Sequence, residues 1–235
     1  MLRVLRQRAV RNSVIAAVVL LVSALWAPIA GAYNSAALGD NPNGGHGGSA
    51  NLCVNKLWVW TGHISGHVNN SIWVYFDPNG DYAHWTEAGM INGVAHTFNT
   101  NGNRIFYWAD DSGQYGYSEH PQSDGPALGS SYLAQVSYSN PPWWYVSIGN
   151  DFSFGSYHNV SNTYRLSSGL EFDSTNTGYE QETGSSWDMS WLNPSNNLWV
   201  KGWNYPSSTV DSPAGGYWYE PYHYWKDELG QSWSC

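Results

Sequence analysis

An all-β fold, a two-sheet antiparallel β-sandwich of the jelly-roll or lectin-like kind, is what this sequence predicts, and three observations predict it. Aromatic and turn-forming residues dominate, with 15 Trp, 17 Tyr and 25 Gly. Short runs of period-2 alternation recur between turn signals such as Asp77-Pro78-Asn79-Gly80 and Asn193-Pro194-Ser195-Asn196-Asn197. No segment of normal helix length carries a 3.6-residue period. Many short antiparallel strands this close together must close on one another as two packed sheets.

The chain begins with Arg3, Arg6, Arg8 and Arg11, then an apolar run from Val14 to Trp26, then Ala30-Gly31-Ala32. That is the plan of an export signal over residues 1–32, and no other segment is apolar enough to cross a membrane. Residues 33–51, rich in Gly, Asn and Ser, read as a flexible leader. Residues 52–235 then make a single β-sandwich domain, long enough for one well-buried core.

Beyond the signal, Lys56, Arg104, Arg165, Lys201 and Lys226 stand against all 18 acids, a net charge of −13. Such a surface repels nucleic acid and anionic membranes, so neither is expected as a partner. An exported chain with two cysteines, Cys53 and Cys235, is expected to bridge them. The closed loop would stabilise the fold by roughly 5 kcal/mol in the chain-entropy model. The sequence thus predicts a secreted, extracellular monomer.

Candidate strands run over residues 57–62, 71–76, 83–91, 93–98, 104–109, 132–138, 143–148, 152–157, 169–173, 186–191 and 198–203. Of the seven glutamates, Glu119, Glu180, Glu182, Glu220 and Glu228 sit in polar, turn-like or terminal sequence and read as solvated charges. Glu87 and Glu171 lie inside strands. Glu171 points away from the face that Leu170 and Phe172 share, and Glu87 shares a face with Trp85 and Gly89. A carboxylate in such a position is costly unless paired or exposed in a cleft. Two converging on one face could share a proton and act as acid and base together. His63 and His67 are four apart, but Ile64-Ser65-Gly66 between them is not helical, so no metal site is expected and no cofactor is implied.

Several motifs resemble those of the neprosin-type glutamic peptidases. They are Ser71-Ile72-Trp73-Val74, Trp85-Thr86-Glu87-Ala88-Gly89, Arg104-Ile105-Phe106-Tyr107-Trp108 and Gly113-Gln114-Tyr115, followed by Pro142-Trp143-Trp144-Tyr145-Val146, Gly155-Ser156-Tyr157 and a Gly-x-Glu strand at Glu171. Their order along residues 70–235 is that of the family. Ser168-Gly169-Leu170 stands where the family has Trp-Gly-Gly, and Gln114 stands where it has a cysteine. More distantly, Leu170-Glu171-Phe172 is similar to the glutamate context of the fungal glutamic peptidases, which pair a Gln with a Glu. The resemblance implies a lectin-like sandwich with Glu87 and Glu171 as a catalytic dyad in a groove, acting in acid on a polypeptide. Trp85, Trp108 and Tyr157, which belong to the same motifs, are expected to line that groove.

Two alternatives fit the composition. One is a jelly-roll glycoside hydrolase with the same two glutamates facing a polysaccharide. The other is a non-catalytic sandwich whose aromatic face holds sugar or peptide.

Overall fold

The computed structural model describes residues 35–41, 45–62, 66–76, 84–112, 115–140, 142–149, 152–174, 176–203, 207–220 and 223–230. The expected signal peptide, His63, Gln114 and Cys235 (and with it the expected bridge to Cys53) lie outside them.

Fifteen strands occur among the described residues: β1 (Ser35–Asn41), β2 (Gly47–Val59), β3 (His67–Tyr75), β4 (Trp85–Gly93), β5 (Ile105–Asp111), β6 (Tyr117–Pro121), β7 (Ser131–Asn140), β8 (Trp143–Ile148), β9 (Phe152–Tyr157), β10 (Arg165–Phe172), β11 (Glu180–Asn193), β12 (Leu198–Lys201), β13 (Ser207–Val210), β14 (Gly215–Glu220) and β15 (Tyr224–Leu229). One sheet has the order β13-β1-β10-β3-β4-β5-β6, and the other β14-β15-β11-β2-β7-β8-β9 with β12 on β11. Neighbours are antiparallel, as in the central pairs of β3 with β4 and of β2 with β11. The all-β sandwich is the fold.

The inner faces follow from the alternation. Ile72, Val74, Ala88, Met90, Leu170 and Phe172 of the first sheet meet Leu52, Val54, Ala134, Val136, Trp144 and Trp225 of the second, all buried. Burying each large apolar side chain contributes about 1.5–3 kcal/mol. β8 keeps the half-buried rhythm, with Trp143 and Tyr145 out and Trp144, Val146 and Ile148 in. β3 and β4 do not: they are buried on both faces after their first residue. Their outer faces carry two small clusters, one around Leu38, Trp73 and Tyr75 and one around Ile91, Ala95, Tyr107 and Ala109. Polar groups on that outer face therefore sit in a sheltered setting.

Within the span expected as a leader, 33–51, the described residues are mostly strand. Ser35–Asn41 is β1, paired with β10 on one side and β13 on the other, and β2 already begins at Gly47. β1 is held by a buried charge as well as by its ladder. Asp40 accepts from Arg165 Nη2 at 2.6 Å, from Thr209 at 3.1 Å and from Ser167. A buried carboxylate with several donors is satisfied where a bare one would not be. The separate strand expected over 93–98 does not form: Gly93 ends β4, and Val94 makes a single bridge to Asn99, closing the turn between β4 and β5.

Candidate functional site

Strand register decides which side chains meet. On the outer face of the seven-stranded sheet, Glu87 of β4 lies across from Trp73 of β3 and Ala109 of β5, and Glu171 of β10 lies across from Asn69 of β3. Gly89 sits between Ser71 and Tyr107 on that same face. A Cβ on Gly89 would meet Ser71 Oγ at 2.0 Å, so glycine is what lets the Tyr107 side chain lean across β4 to β3. There the Tyr107 hydroxyl lies 3.1 Å from Ser71 Oγ and accepts from Asn69 Nδ2 at 2.7 Å. Asn69 Nδ2 also donates to Glu171 Oε2 at 2.8 Å. Tyr107 in turn hydrogen-bonds Glu87. A polar path therefore runs from Glu87 through Tyr107 and Asn69 to Glu171.

Their surroundings differ. Glu87 is 3% exposed and its Oε2 has no partner, whereas Glu171 is half-buried. Burial, and then the charge of Glu171, push the Glu87 carboxyl well above the usual range, against a smaller pull from the Tyr107 hydrogen bond and the charge of His67. Glu87 therefore keeps its proton in acid and beyond. Tyr107 is likewise held protonated, by burial and by both glutamates. Further along the same face, His67 Nδ1 pairs with Asp173 at 2.9 Å. Burial alone would lower the imidazole, but the Asp173 bond and charge, with Glu171 and Glu87 behind them, lift it to about 9. On the other flank Glu119 accepts from the backbone of His96 and Thr97 at 3.1 and 2.6 Å, from the Thr97 hydroxyl at 2.8 Å and from Tyr117. Tyr117, 42% exposed, stands between Trp85 and His96 as an aromatic wall beside Glu87.

No protein-family model and no curated protein matches the chain. Solved structures do. Scytalido-glutamic peptidase with a peptide-based transition-state analog aligns at a TM-score of 0.54 and 11% identity, over 83% of this chain and 97% of that chain. A second structure of that peptidase, with a transition-state analog inhibitor, gives 0.55 and 12%, over 83% and 96%. SCP-B, a member of the Eqolisin family of peptidases in complex with the tripeptide Ala-Ile-His, gives 0.51 and 10%, over 83% and 96%. The fold is glutamic-peptidase-like. At these identities the likeness is one of fold, and function has to be argued from the site.

Within this glutamic-peptidase-like sandwich, the sequence-predicted residues part company. Glu87, Glu171 and Trp85 share one outer face. Trp108 does not join them: it lies on the inner face, 7% exposed, packed in the main core with its ring stacked on His120 at 3.7 Å. Its position one residue after Tyr107 forces this, because alternate side chains point to opposite faces. Tyr157 is on β9 of the other sheet, against Trp143 and Tyr115, also away from the glutamates. His67 is an ion-pair partner, and among the described residues no group of three or more His, Cys, Asp or Glu could hold a metal. A groove of about 650 Å³, lined by Trp187, Lys201, His223 and Tyr224 among others, lies on the second sheet and contains none of the residues around the two glutamates.

Reading by residue type misses Asn69, Ser71, Tyr107 and the His67–Asp173 pair. One signal for the first two was present: Asn69-Asn70-Ser71 inside an otherwise apolar strand is the pattern of a polar network that must find partners.

Two of the glutamates read as solvated are fully buried. Glu182 and Asp227 are 0% exposed, and Asn70 Nδ2 donates to both, at 3.1 and 3.0 Å. Burial, then the charge of Asp227 and the bond to it, push Glu182 well up, and burial raises Asp227 to about 7 against the hydrogen bonds it accepts. Burial thus favours the protonated form at both carboxyls. Glu180 is also sealed in, accepting from the backbone of Asp173 and Ser174 at 3.0 and 2.8 Å, with its carboxyl lifted to about 7 by burial.

Proposed function

We propose that this protein is a secreted, acid-acting glutamic-type endopeptidase with Glu87 as acid and Glu171 as base. The observation that carries the reading is the inequality of the two carboxyls. One is buried and protonated, the other accessible, and both are tied into one hydrogen-bonded path on one sheet face. The likeness of fold to peptidases that bind transition-state analogs and a tripeptide supports it.

In this mechanism ionised Glu171 takes a proton from water as the water oxygen bonds to the peptide carbonyl carbon. Glu87 gives its proton to the carbonyl oxygen, and a neutral tetrahedral diol forms. On collapse the C–N bond breaks, the amine leaves with the proton from Glu171, and a diol hydroxyl returns a proton to Glu87. Within this reading, a carboxyl acid where the fungal enzymes use a glutamine favours the neprosin type. Export and a Cys53–Cys235 bridge belong to the same reading. Intact-mass measurement of the secreted product should find residues 1–32 removed and the mass two hydrogens below that of the reduced form.

The test is hydrolysis of acid-denatured protein and of xylan, from pH about 3 to 7, by wild type, Glu87→Gln and Glu171→Gln. Cleavage of protein in acid, lost in Glu171→Gln without loss of fold, is the expected result. Cleavage of xylan alone would move the dyad to the glycosidase alternative. Protein cleavage that survives both substitutions would remove the dyad from the mechanism.

A further inference from the structure

The peptidase reading needs the acid's proton on one particular oxygen of Glu87, the one left for the substrate. Burial keeps the carboxyl protonated, but burial does not choose between Oε1 and Oε2. The hydrogen bonds around Tyr107 make that choice.

We propose that Tyr107 is a positioning residue for the acid: its hydroxyl donates to Glu87 Oε1, so that the proton of Glu87 sits on Oε2 for the substrate. Tyr107 is 2% exposed, so protein contacts and not solvent set the direction of its O–H. Three groups meet that hydroxyl: Asn69 Nδ2 at 2.7 Å, Ser71 Oγ at 3.1 Å and the Glu87 carboxyl. An amide nitrogen only donates, so Asn69 occupies one lone pair of the phenol oxygen. The single phenol hydrogen then goes either to Ser71 or to Glu87. If it went to Ser71, protonated Glu87 would have to donate into Tyr107. The acid's proton would be spent inside the sheet, and Oε2 would be a bare buried acceptor. If it goes to Glu87, Ser71 donates to the second lone pair, and every hydrogen of the cluster but one has a protein acceptor. That one is the proton on Oε2, the Glu87 oxygen that is buried without a hydrogen-bond partner. A buried polar group needs a partner, and the peptide carbonyl oxygen supplies it. When the proton passes from Oε2 to that oxygen, Tyr107 goes on donating to Oε1 of the carboxylate left behind, and no hydrogen bond has to turn round. The bond is stronger to the charged form, which is why it pulls the carboxyl down against burial and Glu171. The charged or titratable groups that bear on Glu87 are Glu171 of β10, His67 of β3, Tyr107 of β5, and Tyr117 and Glu119 of β6, while Trp73 and Ala109 stand directly across from it. The inference rests on the peptidase reading for its catalytic consequence and on the hydrogen-bond geometry for the place of the proton.

The experiment compares full-length wild type, Tyr107→Phe and Ser71→Ala, with Glu87→Gln to assign the Glu87 signal. Difference infrared spectroscopy in acid reads the C=O stretch of protonated Glu87, and kcat and KM are measured against pH on acid-denatured protein. With Oε1 as the carbonyl oxygen accepting from Tyr107, loss of the hydroxyl in Tyr107→Phe should move that stretch to higher frequency. In the opposite arrangement the carbonyl oxygen is Oε2, which has no donor to lose, and the stretch would hardly move. The alkaline limb of kcat/KM should shift to higher pH in Tyr107→Phe, since a donor to the charged form is gone. Kcat should fall by about 10–100-fold, the range for a hydrogen bond to a charged group, with KM little changed. Ser71→Ala should move the stretch the same way by less, because it removes the donor behind Tyr107, and it supplies the reading if the phenylalanine variant does not fold. A stretch that stays in place in both variants overturns the proposal. So does a fall in kcat with the alkaline limb unmoved, which is what a purely structural tyrosine would give. If wild type cleaves no peptide bond, the peptidase reading fails, while the infrared shift still decides which oxygen of Glu87 holds the proton.

Discussion

Asn69 and Asn70 are neighbours on β3 that point to opposite faces, and each holds two groups with one amide nitrogen. Asn69 faces out and joins Glu171 to Tyr107. Asn70 faces in and joins Glu182 of β11 to Asp227 of β15, across the space between the sheets. The outer path leads to a carboxyl that solvent reaches; the inner pair is sealed, with Glu182 Oε2 and Asp227 Oδ2 lacking partners. The contrast separates two uses of paired acids. An accessible carboxylate beside a protonated one can pass protons to a substrate. A sealed pair can exchange them only as the domain breathes, so it governs stability and takes no part in turnover.

Breaking the outer pair should have the largest effect. Glu171→Gln should lower kcat/KM for acid proteolysis by about 10³-fold or more, with the melting temperature within a few degrees of wild type. Glu87→Gln should lose about 10²-fold, because an amide still donates to the carbonyl oxygen but cannot release a proton. Glu182→Gln should leave kcat/KM unchanged in acid, which would fail if the sealed pair took part in turnover.

The next effect is pH. Asp227 binds its proton more tightly folded, at about 7, than its ordinary 3.8, and Glu182 and Glu180 move in the same direction. The folded chain therefore holds more protons than the unfolded one, and stability falls as pH rises from about 4 through 7. His67 adds to this at higher pH, since its contribution is present below 6.5 and lost toward 9. Denaturant unfolding at pH 4 and pH 7 should show the drop, and Glu182→Gln should flatten it. A stability that is level between those pH values would contradict the inner half of the comparison.

A smaller effect comes from space. A Cβ on Gly184 would meet Glu182 Oε1 at 2.1 Å, Asn70 Nδ2 at 2.5 Å and Asp227 Oδ1 at 2.9 Å. Gly184→Ala should therefore cost about 2–3 kcal/mol, measured in urea at pH 4. Smallest of all, Glu119→Gln should loosen the turn that carries His96 and Thr97. It should cost about 1 kcal/mol, and its kcat/KM should change by less than about threefold.

Much of this was legible in the sequence. β8 and β9 fall where alternation places them, and the outward side of Glu87 and Glu171 follows from period 2 alone. What could not be read was depth. Glu180 and Glu182 stand in Tyr179-Glu180-Gln181-Glu182-Thr183, a stretch with no apolar partner rhythm, yet β11 is central and carries them inward. Trp108 shows the converse. A single ring can serve a groove or a core, and only the register of β5 decides. β1 was invisible because Ser35-Ala36-Ala37-Leu38-Gly39-Asp40-Asn41 has little strand propensity of its own. Its structure comes from partners far along the chain, and local pattern holds no trace of them.

That distance has a consequence for how the protein is made. The partners of β1 are β10 and β13, 125 residues or more later along the chain. At about 5–20 residues per second, they leave the ribosome on the order of ten seconds after β1 does. A strand that waits so long beside other emerging strands risks pairing with the wrong one. β1 is short, small-sided and weakly strand-forming, so it offers poor edges to such suitors. The plain composition that conceals β1 in the sequence also protects the nascent chain until Arg165 arrives to claim Asp40.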